Sequence, residues 1–206
     1  MAVVNRPRID LAPHGSARGA RACPRRRRVL HLAALTLIAG AAAGRARAQE
    51  AALPVSVKAA YLYKFLSYVE WPPAAFEGAD SPIVIGVHGA DDVLAELRQV
   101  LAGRTAQGRP LVSRRVAQGD TLAGVHVLFL GQANPADVES WLAPWRERPI
   151  LLVTDSGRGL GQGSMINFVL VGGRLRFEVS LPAAERSGLK LSSRMLQVAE
   201  RVVGVR

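Results

Sequence analysis

Short apolar runs alternate with amphipathic segments along much of this chain, and that alternation restricts its fold more than any other feature. Apolar residues fill nearly every position of 83–88, 125–130 and 150–154, which is typical of strands covered on both faces. Helical patterns over 91–101 and from Pro135 onward separate these runs. Strands that alternate with helices indicate a layered α/β fold whose central strands run parallel.

Aromatic residues cluster in a predicted opening helix. Ser56 can cap a helix that continues to about Val69, and the sequence Trp71-Pro72 ends it because a residue before proline avoids the helical region. Apolar residues recur on one face of this helix at four-residue spacing. We expect its aromatic side chains to pack in the core rather than form an exposed binding stripe.

Three further elements complete the pattern. A short strand is predicted over 110–116, a helical turn over 183–187 and a closing helix over 193–203. The chain contains no internal repeat, low-complexity tract or interdomain linker after residue 48. Residues 49–206 are therefore predicted to form one α/β domain.

A Gly172-Gly173 pair joins two apolar runs and predicts a C-terminal antiparallel β-hairpin, which makes the largely parallel sheet a mixed one. A two-residue turn fixes the register, and cross-strand partners share a face. One face is wholly apolar and carries Ile166, Phe168, Leu170, Leu175, Phe177 and Val179. The other face, called the hairpin polar face below, carries Asn167, Val169, Val171, Arg174, Arg176 and Glu178. It is either a solvated sheet face or a recognition surface formed by Asn167, Val169, Arg176 and Glu178.

The basic residues of the chain are concentrated before residue 49. The formal net charge of the whole chain is +11. Residues 1–48 contain ten arginines and one aspartate, a net charge of +9, which leaves +2 for residues 49–206. A surface that binds nucleic acid would keep its basic excess in the folded part. The composition therefore argues against nucleic acid as a partner.

The basic segment has the three parts of a secretory signal peptide in the expected order. Arg25–Arg28 precede an apolar stretch over 29–43, and Ala46 and Ala48 supply the small residues of a cleavage site. The apolar stretch is shorter than the ~20 residues of a membrane span, and a retained anchor helix is the alternative. We predict that export by the Sec or twin-arginine route removes residues 1–48 near Ala48 and places the domain in the periplasm.

Residues with catalytic or metal-binding chemistry are sparse in the exported part. The single cysteine, Cys23, lies in the leader, so residues 49–206 can form neither a disulfide nor a thiolate metal site. The glycine-rich loop, residues 155–163, does not match G-x-G-x-x-G and precedes a strand rather than a helix, which favours a flexible loop over a nucleotide site. The sequence predicts no catalytic residues, no metal, no cofactor and no enzyme activity.

His88 and Asp155 are the polar side chains best placed to form a pocket. Each ends a predicted parallel strand, and that edge of an open α/β sheet collects ligands. A periplasmic small-ligand-binding protein with a pocket at these strand ends is therefore one candidate function.

Several segments resemble the YfiR family of periplasmic proteins over nearly the whole exported part. The segments that carry the resemblance are VKAAYLYKFLSYVEWP (57–72), VHVLFL (125–130) and LLVTDSGRGLGQGSMINFVLVGGRLRFEVSLPAAERSGLKLSSRMLQVAERV (151–202). The most specific parts are the aromatic helix ending in Trp-Pro and the runs Gly-Ser-Met-Ile-Asn, Arg-Phe-Glu-Val and Gly-Leu-Lys-Leu-Ser-Ser.

The resemblance implies an inhibitor rather than an enzyme. YfiR-like proteins repress a membrane-bound diguanylate cyclase by binding its periplasmic sensor domain, and they tend to be homodimers. An outer-membrane lipoprotein can sequester them, which releases cyclic di-GMP synthesis and favours biofilm formation. Some relatives carry disulfide cysteines, but redox control by a disulfide does not transfer to this chain because its exported part contains no cysteine.

Overall fold

A computed structural model describes residues 55–131 and 135–204 of the chain. The predicted leader, residues 1–48, lies outside the described residues. In chain order the elements are α1 (55–65), β1 (Val69–Glu70), β2 (Ile83–His88), α2 (Asp91–Leu101), β3 (Thr105–Ala106), β4 (Arg109–Arg115), β5 (Val127–Leu130), α3 (Pro135–Leu142), β6 (Leu151–Thr154), β7 (Ile166–Val171), β8 (Arg174–Ser180), α4 (Leu181–Arg186), β9 (Lys190–Leu191), α5 (Ser193–Val198) and β10 (Arg201–Val203). Among these described residues, no helix combines the length and hydrophobicity that crossing a membrane requires.

Eight of the strands form one mixed sheet in the order β10-β8-β7-β6-β5-β2-β4-β3. The five adjacent strands β7, β6, β5, β2 and β4 run parallel to one another. The β7–β8 hairpin is antiparallel, and β10 pairs in parallel with β8. This topology confirms the predicted fold class, a layered α/β domain with a largely parallel sheet and a C-terminal antiparallel hairpin.

The central strands are buried along their whole length, as their continuous apolar runs predict. Every residue of β5 and β6 is buried, because both faces of these strands are covered. Each large apolar side chain removed from water in this way contributes roughly 1.5–3 kcal/mol relative to an exposed position. The centre of the sheet is therefore the rigid base from which the hairpin extends.

The opening helix is shorter than the sequence predicts. Helix α1 ends at residue 65 rather than at Val69. The chain turns there because Val69 and Glu70 pair with Leu191 and Lys190 of β9 in a separate two-stranded sheet. This small sheet was not predicted, because neither two-residue strand has a periodicity long enough to identify it.

The aromatic side chains of α1 pack against the hairpin. The Phe65 ring lies 5.1 Å from the Phe177 ring and 6.0 Å from the Phe168 ring, measured between centroids. The Tyr61 ring lies 5.5 Å from the Phe177 ring. The prediction of core packing is therefore correct for these two residues of α1, and α1 fixes the apolar face of the hairpin.

The predicted closing helix over 193–203 is wrong in its second half. Helix α5 ends at Val198, and β10 then pairs with the outer edge of β8, with Arg201 opposite Glu178 and Val203 opposite Ser180. The β-branched pair Val202-Val203 suits an extended strand. Pairing gives hydrogen-bond partners to backbone groups of β8 that a continued helix would leave exposed.

Candidate functional site

The β7–β8 hairpin has the register that its two-glycine turn predicts. Six residue pairs match, from Ile166 opposite Val179 at the base to Val171 opposite Arg174 at the turn. The residues of the hairpin polar face therefore share one side of the hairpin, although Asn167 at its base is buried. This face carries the four residues that the sequence singles out for recognition: Asn167, Val169, Arg176 and Glu178.

The outer half of the hairpin projects beyond the sheet. Strand β7 pairs with β6 only through Ile166 and Asn167, so 168–171 continue past the end of β6. Exposure rises along this segment, to 69% at Leu170 and 42% at Val171. Leu170 belongs to the apolar face, so that face joins the core only near its base. Near the turn, the hairpin is therefore accessible to a partner from both faces, through Leu170 on one and Val171 on the other.

A cleft with a volume of about 600 Å³ lies over the base of the hairpin polar face. Its floor comes from β7, β8 and β10, and its wall comes from the glycine-rich loop and from α3. The lining residues are Glu139, Gly157, Arg158, Gly159, Leu160, Gly161, Gln162, Asn167, Glu178, Ser180, Arg201 and Val203. The sequence did not predict this cleft, because the glycine-rich loop is distant from β10 along the chain.

Asn167 fastens the glycine-rich loop to the sheet. Its side chain is buried, and its Oδ1 accepts hydrogen bonds from the Thr154 hydroxyl at 2.8 Å and from the Ser156 backbone N–H at 3.2 Å. A Cβ atom at Gly159 would collide with Thr154 Oγ1 and with Asn167 Oδ1. Only glycine therefore lets the loop approach the sheet this closely, and the Asn167 side-chain oxygen holds it there.

Arg146 holds the far end of the same loop. Its Nη2 donates to the Gln162 carbonyl oxygen at 2.8 Å and lies 3.3 Å from Glu139 Oε1. Gly163 has a φ of +105°, and a Cβ atom there would collide with the guanidinium of Arg146. The wall of the cleft is thus held at both ends by polar contacts.

Glu178 and Arg201 form an ion pair in the floor of the cleft. Arg201 Nε donates to Glu178 Oε1 at 2.8 Å, and 58% of the Arg201 side chain is exposed, against 17% for Glu178. The hydrogen bond that Glu178 accepts, together with the charge of its carboxylate, raises the pKa of Arg201. The carboxylate is therefore neutralised from one side and open to the cleft on the other.

One arginine in the wall of the cleft and two on the projecting hairpin have no carboxylate partner among the described residues. Arg158, Arg174 and Arg176 are exposed, and none forms an ion pair within the described part of the chain. Glu139 and Glu178, which line the cleft, already pair with Arg146 and Arg201. The guanidinium groups of Arg158, Arg174 and Arg176 are thus not neutralised by a carboxylate of the described residues.

A sequence model of the YfiR/HmsC-like proteins matches residues 55–200, most of the chain and all of the elements around the cleft. The chain belongs to the YfiR/HmsC-like family. Membership confirms the resemblance found in the sequence.

Among the solved structures that this YfiR/HmsC-like chain resembles is the crystal structure of a conserved domain protein from Vibrio cholerae O1 biovar eltor str. N16961, with 13% identity and a TM-score of 0.49. The match covers 72% of this chain and 60% of that chain. Values this low support no inference about function.

In this YfiR/HmsC-like domain, His88 and Asp155 do not meet at the strand ends. Leu130 of β5 pairs with His88 on one side and with Thr154 on the other, so β5 separates the two residues. The His88 ring packs 5.0 Å from the Trp141 ring, and Asp155 forms an ion pair with Lys58 of α1. Each side chain thus has a separate structural partner, and their role in binding stays a prediction.

Sequence reasoning missed Arg201, Ser180 and Arg158 as lining residues of the cleft. Arg201 was assigned to a helix, although Arg201-Val202-Val203 is the one part of 193–203 where β-branched residues are adjacent. Across 55–131 and 135–204, no cluster of three or more His, Cys, Asp or Glu side chains is placed to hold a metal ion.

Proposed function

We propose that this protein binds the periplasmic sensor domain of an inner-membrane diguanylate cyclase and represses its synthesis of cyclic di-GMP. The observation that carries the proposal is the family match over residues 55–200. On this proposal residues 1–48 direct export and are removed near Ala48. The exported domain, residues 49–206, then acts in the periplasm without making or breaking a bond.

Repression of this kind requires unequal affinity for two states of the cyclase. A binding protein shifts a conformational equilibrium only by the difference between its affinities for the two states. A difference of about 3 kcal/mol corresponds to a factor of roughly 150. We propose that the regulator binds the inactive arrangement of the sensor domain more tightly by about this amount.

The hairpin polar face and the cleft at its base are the proposed interface. Support comes from the projection of the hairpin beyond β6 and from the exposure of Val171. Val169, Arg176 and Glu178 lie on this face, with Glu178 at the cleft and Arg176 nearer the turn. Asn167 contributes by holding the glycine-rich loop in place.

We expect Glu178→Lys to weaken binding of the cyclase sensor domain far more than it weakens folding. The substitution places a like charge opposite Arg201, whose side chain is 58% exposed, so solvent screens this half of the pair and limits the cost to the fold. A charge reversal inside a protein interface costs much more. Calorimetric titration of the sensor domain should show affinity lowered at least about tenfold.

A control at a different surface is Asp91→Lys, which breaks the exposed ion pair between Asp91 of α2 and Arg115 of β4. It should leave the affinity at the wild-type value. If Glu178→Lys lowers the melting temperature in step with the loss of binding, Glu178 is a structural residue and this part of the proposed interface is wrong.

The cleft favours a second candidate function, a periplasmic small-ligand-binding protein. Its volume of about 600 Å³ is within the usual range of small-molecule sites. A thermal-shift screen with metabolites tests this candidate, because a ligand that binds only the folded state raises the melting temperature. A homodimer and an outer-membrane lipoprotein partner remain proposals from the family resemblance.

A further inference from the structure

We infer that the hairpin polar face receives an acidic protein segment in which carboxylate side chains alternate with apolar ones. The occupant is a segment of the cyclase sensor domain, so the inference rests on the proposed function and adds the chemistry of the contact.

The positive charge of the face is available to a partner. Arg174 and Arg176 lie on the projecting hairpin, and Arg158 lies in the wall of the cleft. None of the three has an ion-pair partner in the part of the chain that the structure describes. Exposed guanidinium groups of this kind bind carboxylates through two parallel hydrogen bonds. A segment with two or three carboxylates would complete the charge pairing.

Apolar side chains lie next to the two hairpin arginines, since Val171 pairs with Arg174 and Val169 with Arg176. Val171 is 42% exposed and Val169 is half-buried. A purely acidic segment would leave this apolar surface against polar groups. A segment that presents acidic and apolar side chains in turn on the surface in contact with this face satisfies both kinds of side chain.

The charge pattern argues against two occupants from the chain itself. The leader carries a net charge of +9, so like charges would repel it from the arginines. A second copy of the domain that packed the same face against this one would bring two sets of Arg174 and Arg176 together. Like charges facing each other in an interface cost several kcal/mol. An acidic partner has no such cost.

Protection of a sheet edge is the alternative role for Arg174 and Arg176. Strand β10 covers β8 only from Glu178 to Ser180, and charged side chains on an uncovered edge oppose aggregation. Either sign of charge would protect the edge, whereas recognition of an acidic segment requires positive charge. A change of sign therefore separates the two roles.

The test is the association rate of residues 49–206 with the cyclase sensor domain, measured by stopped flow at low and at high salt. The double variant R174E/R176E should associate about tenfold more slowly than wild type at low salt, and its rate should depend less on salt. Arg98→Glu is the matched control. Arg98 is exposed on α2, which packs against β4 near the opposite end of the sheet, so its reversal should change neither quantity.

A second measurement is independent of the cyclase. Nuclear magnetic resonance titration of the domain with hexaglutamate should shift the backbone amide signals of Arg158, Arg174 and Arg176, and hexalysine should shift none of them. Sensor-domain association that is unchanged by R174E/R176E and by salt overturns the inference but leaves the proposed function intact. Hexaglutamate binding at the three arginines without any sensor-domain binding refutes the proposed function instead. The absence of both overturns the inference and the proposed function together.

Discussion

His126 is a buried histidine whose neutral form the fold requires. Its Nδ1 accepts a hydrogen bond from the Val84 backbone N–H at 3.2 Å, and its Nε2 donates to the Ala75 carbonyl oxygen at 3.1 Å. The ring stacks on Phe76 at 4.5 Å. Burial and the charge of nearby Arg109 lower the pKa of His126, and the hydrogen bond to Ala75 opposes them only in part.

We expect acid to destabilise the domain through His126. Because the folded-state pKa lies below the ordinary value of about 6.5, the unfolded chain binds more protons just below that pH. The contribution of His126 to stability is thus complete above about pH 6.5 and is lost as the pH falls toward the folded-state pKa. The slope for one proton is at most about 1.4 kcal/mol per pH unit.

Urea unfolding of wild type and His126→Gln between pH 7.5 and 5 measures this effect. The variant should be less stable than wild type at pH 7.5, and the difference should shrink as the pH falls. Parallel stability curves for the two proteins would show that protonation of His126 does not cause the acid sensitivity.

Gly159 allows the glycine-rich loop to pack closely on the sheet because it has no side chain. A Cβ atom there would collide with Thr154 Oγ1 and Asn167 Oδ1, whereas a Cβ atom at Gly157 would meet nothing within 4 Å. We expect Gly159→Ala to lower the free energy of unfolding by about 1–3 kcal/mol, the usual cost of overpacking. The matched variant Gly157→Ala should unfold like wild type within about 0.5 kcal/mol. Equal values for the two variants would mean that the loop does not pack on Asn167.

At the scale of the elements, local sequence patterns predict the features that depend on neighbouring residues. They fail for features that depend on pairing with segments distant along the chain. The hairpin register follows from the Gly172-Gly173 turn alone and is confirmed at all six pairs. The end of α1 and the start of β10 depend on pairing with β9 and β8, which no local periodicity contains. The same reason explains the missed cleft, since its floor joins β10 to a hairpin about twenty residues earlier.

The two ends of the hairpin's apolar face differ in burial. Its base packs on α1, whereas Leu170 near the turn is 69% exposed. We expect Leu62→Ala, at a fully buried position of α1, to cost about 2–5 kcal/mol of unfolding free energy. Leu170→Ala should cost less than about 0.5 kcal/mol. Chemical unfolding measures both, and a comparable loss at Leu170 would show that the hairpin tip is buried in solution, as it would be in a stable dimer.

At the scale of the whole molecule, the described residues form a rigid α/β base with one projecting, positively charged hairpin. The basic excess of the full chain lies mostly in residues 1–48. On the projecting hairpin, Arg174 and Arg176 form no ion pair with the described residues. The sequence predicted the exposed hairpin surface but not its cleft.

The most direct measurement is the rate of cyclic di-GMP synthesis by the cyclase in proteoliposomes whose sensor domain faces outward, with purified residues 49–206 added outside. The proposed function predicts that synthesis falls in a saturable manner as the domain is added, and that Glu178→Lys requires at least about ten times more protein for the same effect. A rate that stays constant at all concentrations of the wild-type domain would contradict repression of the cyclase.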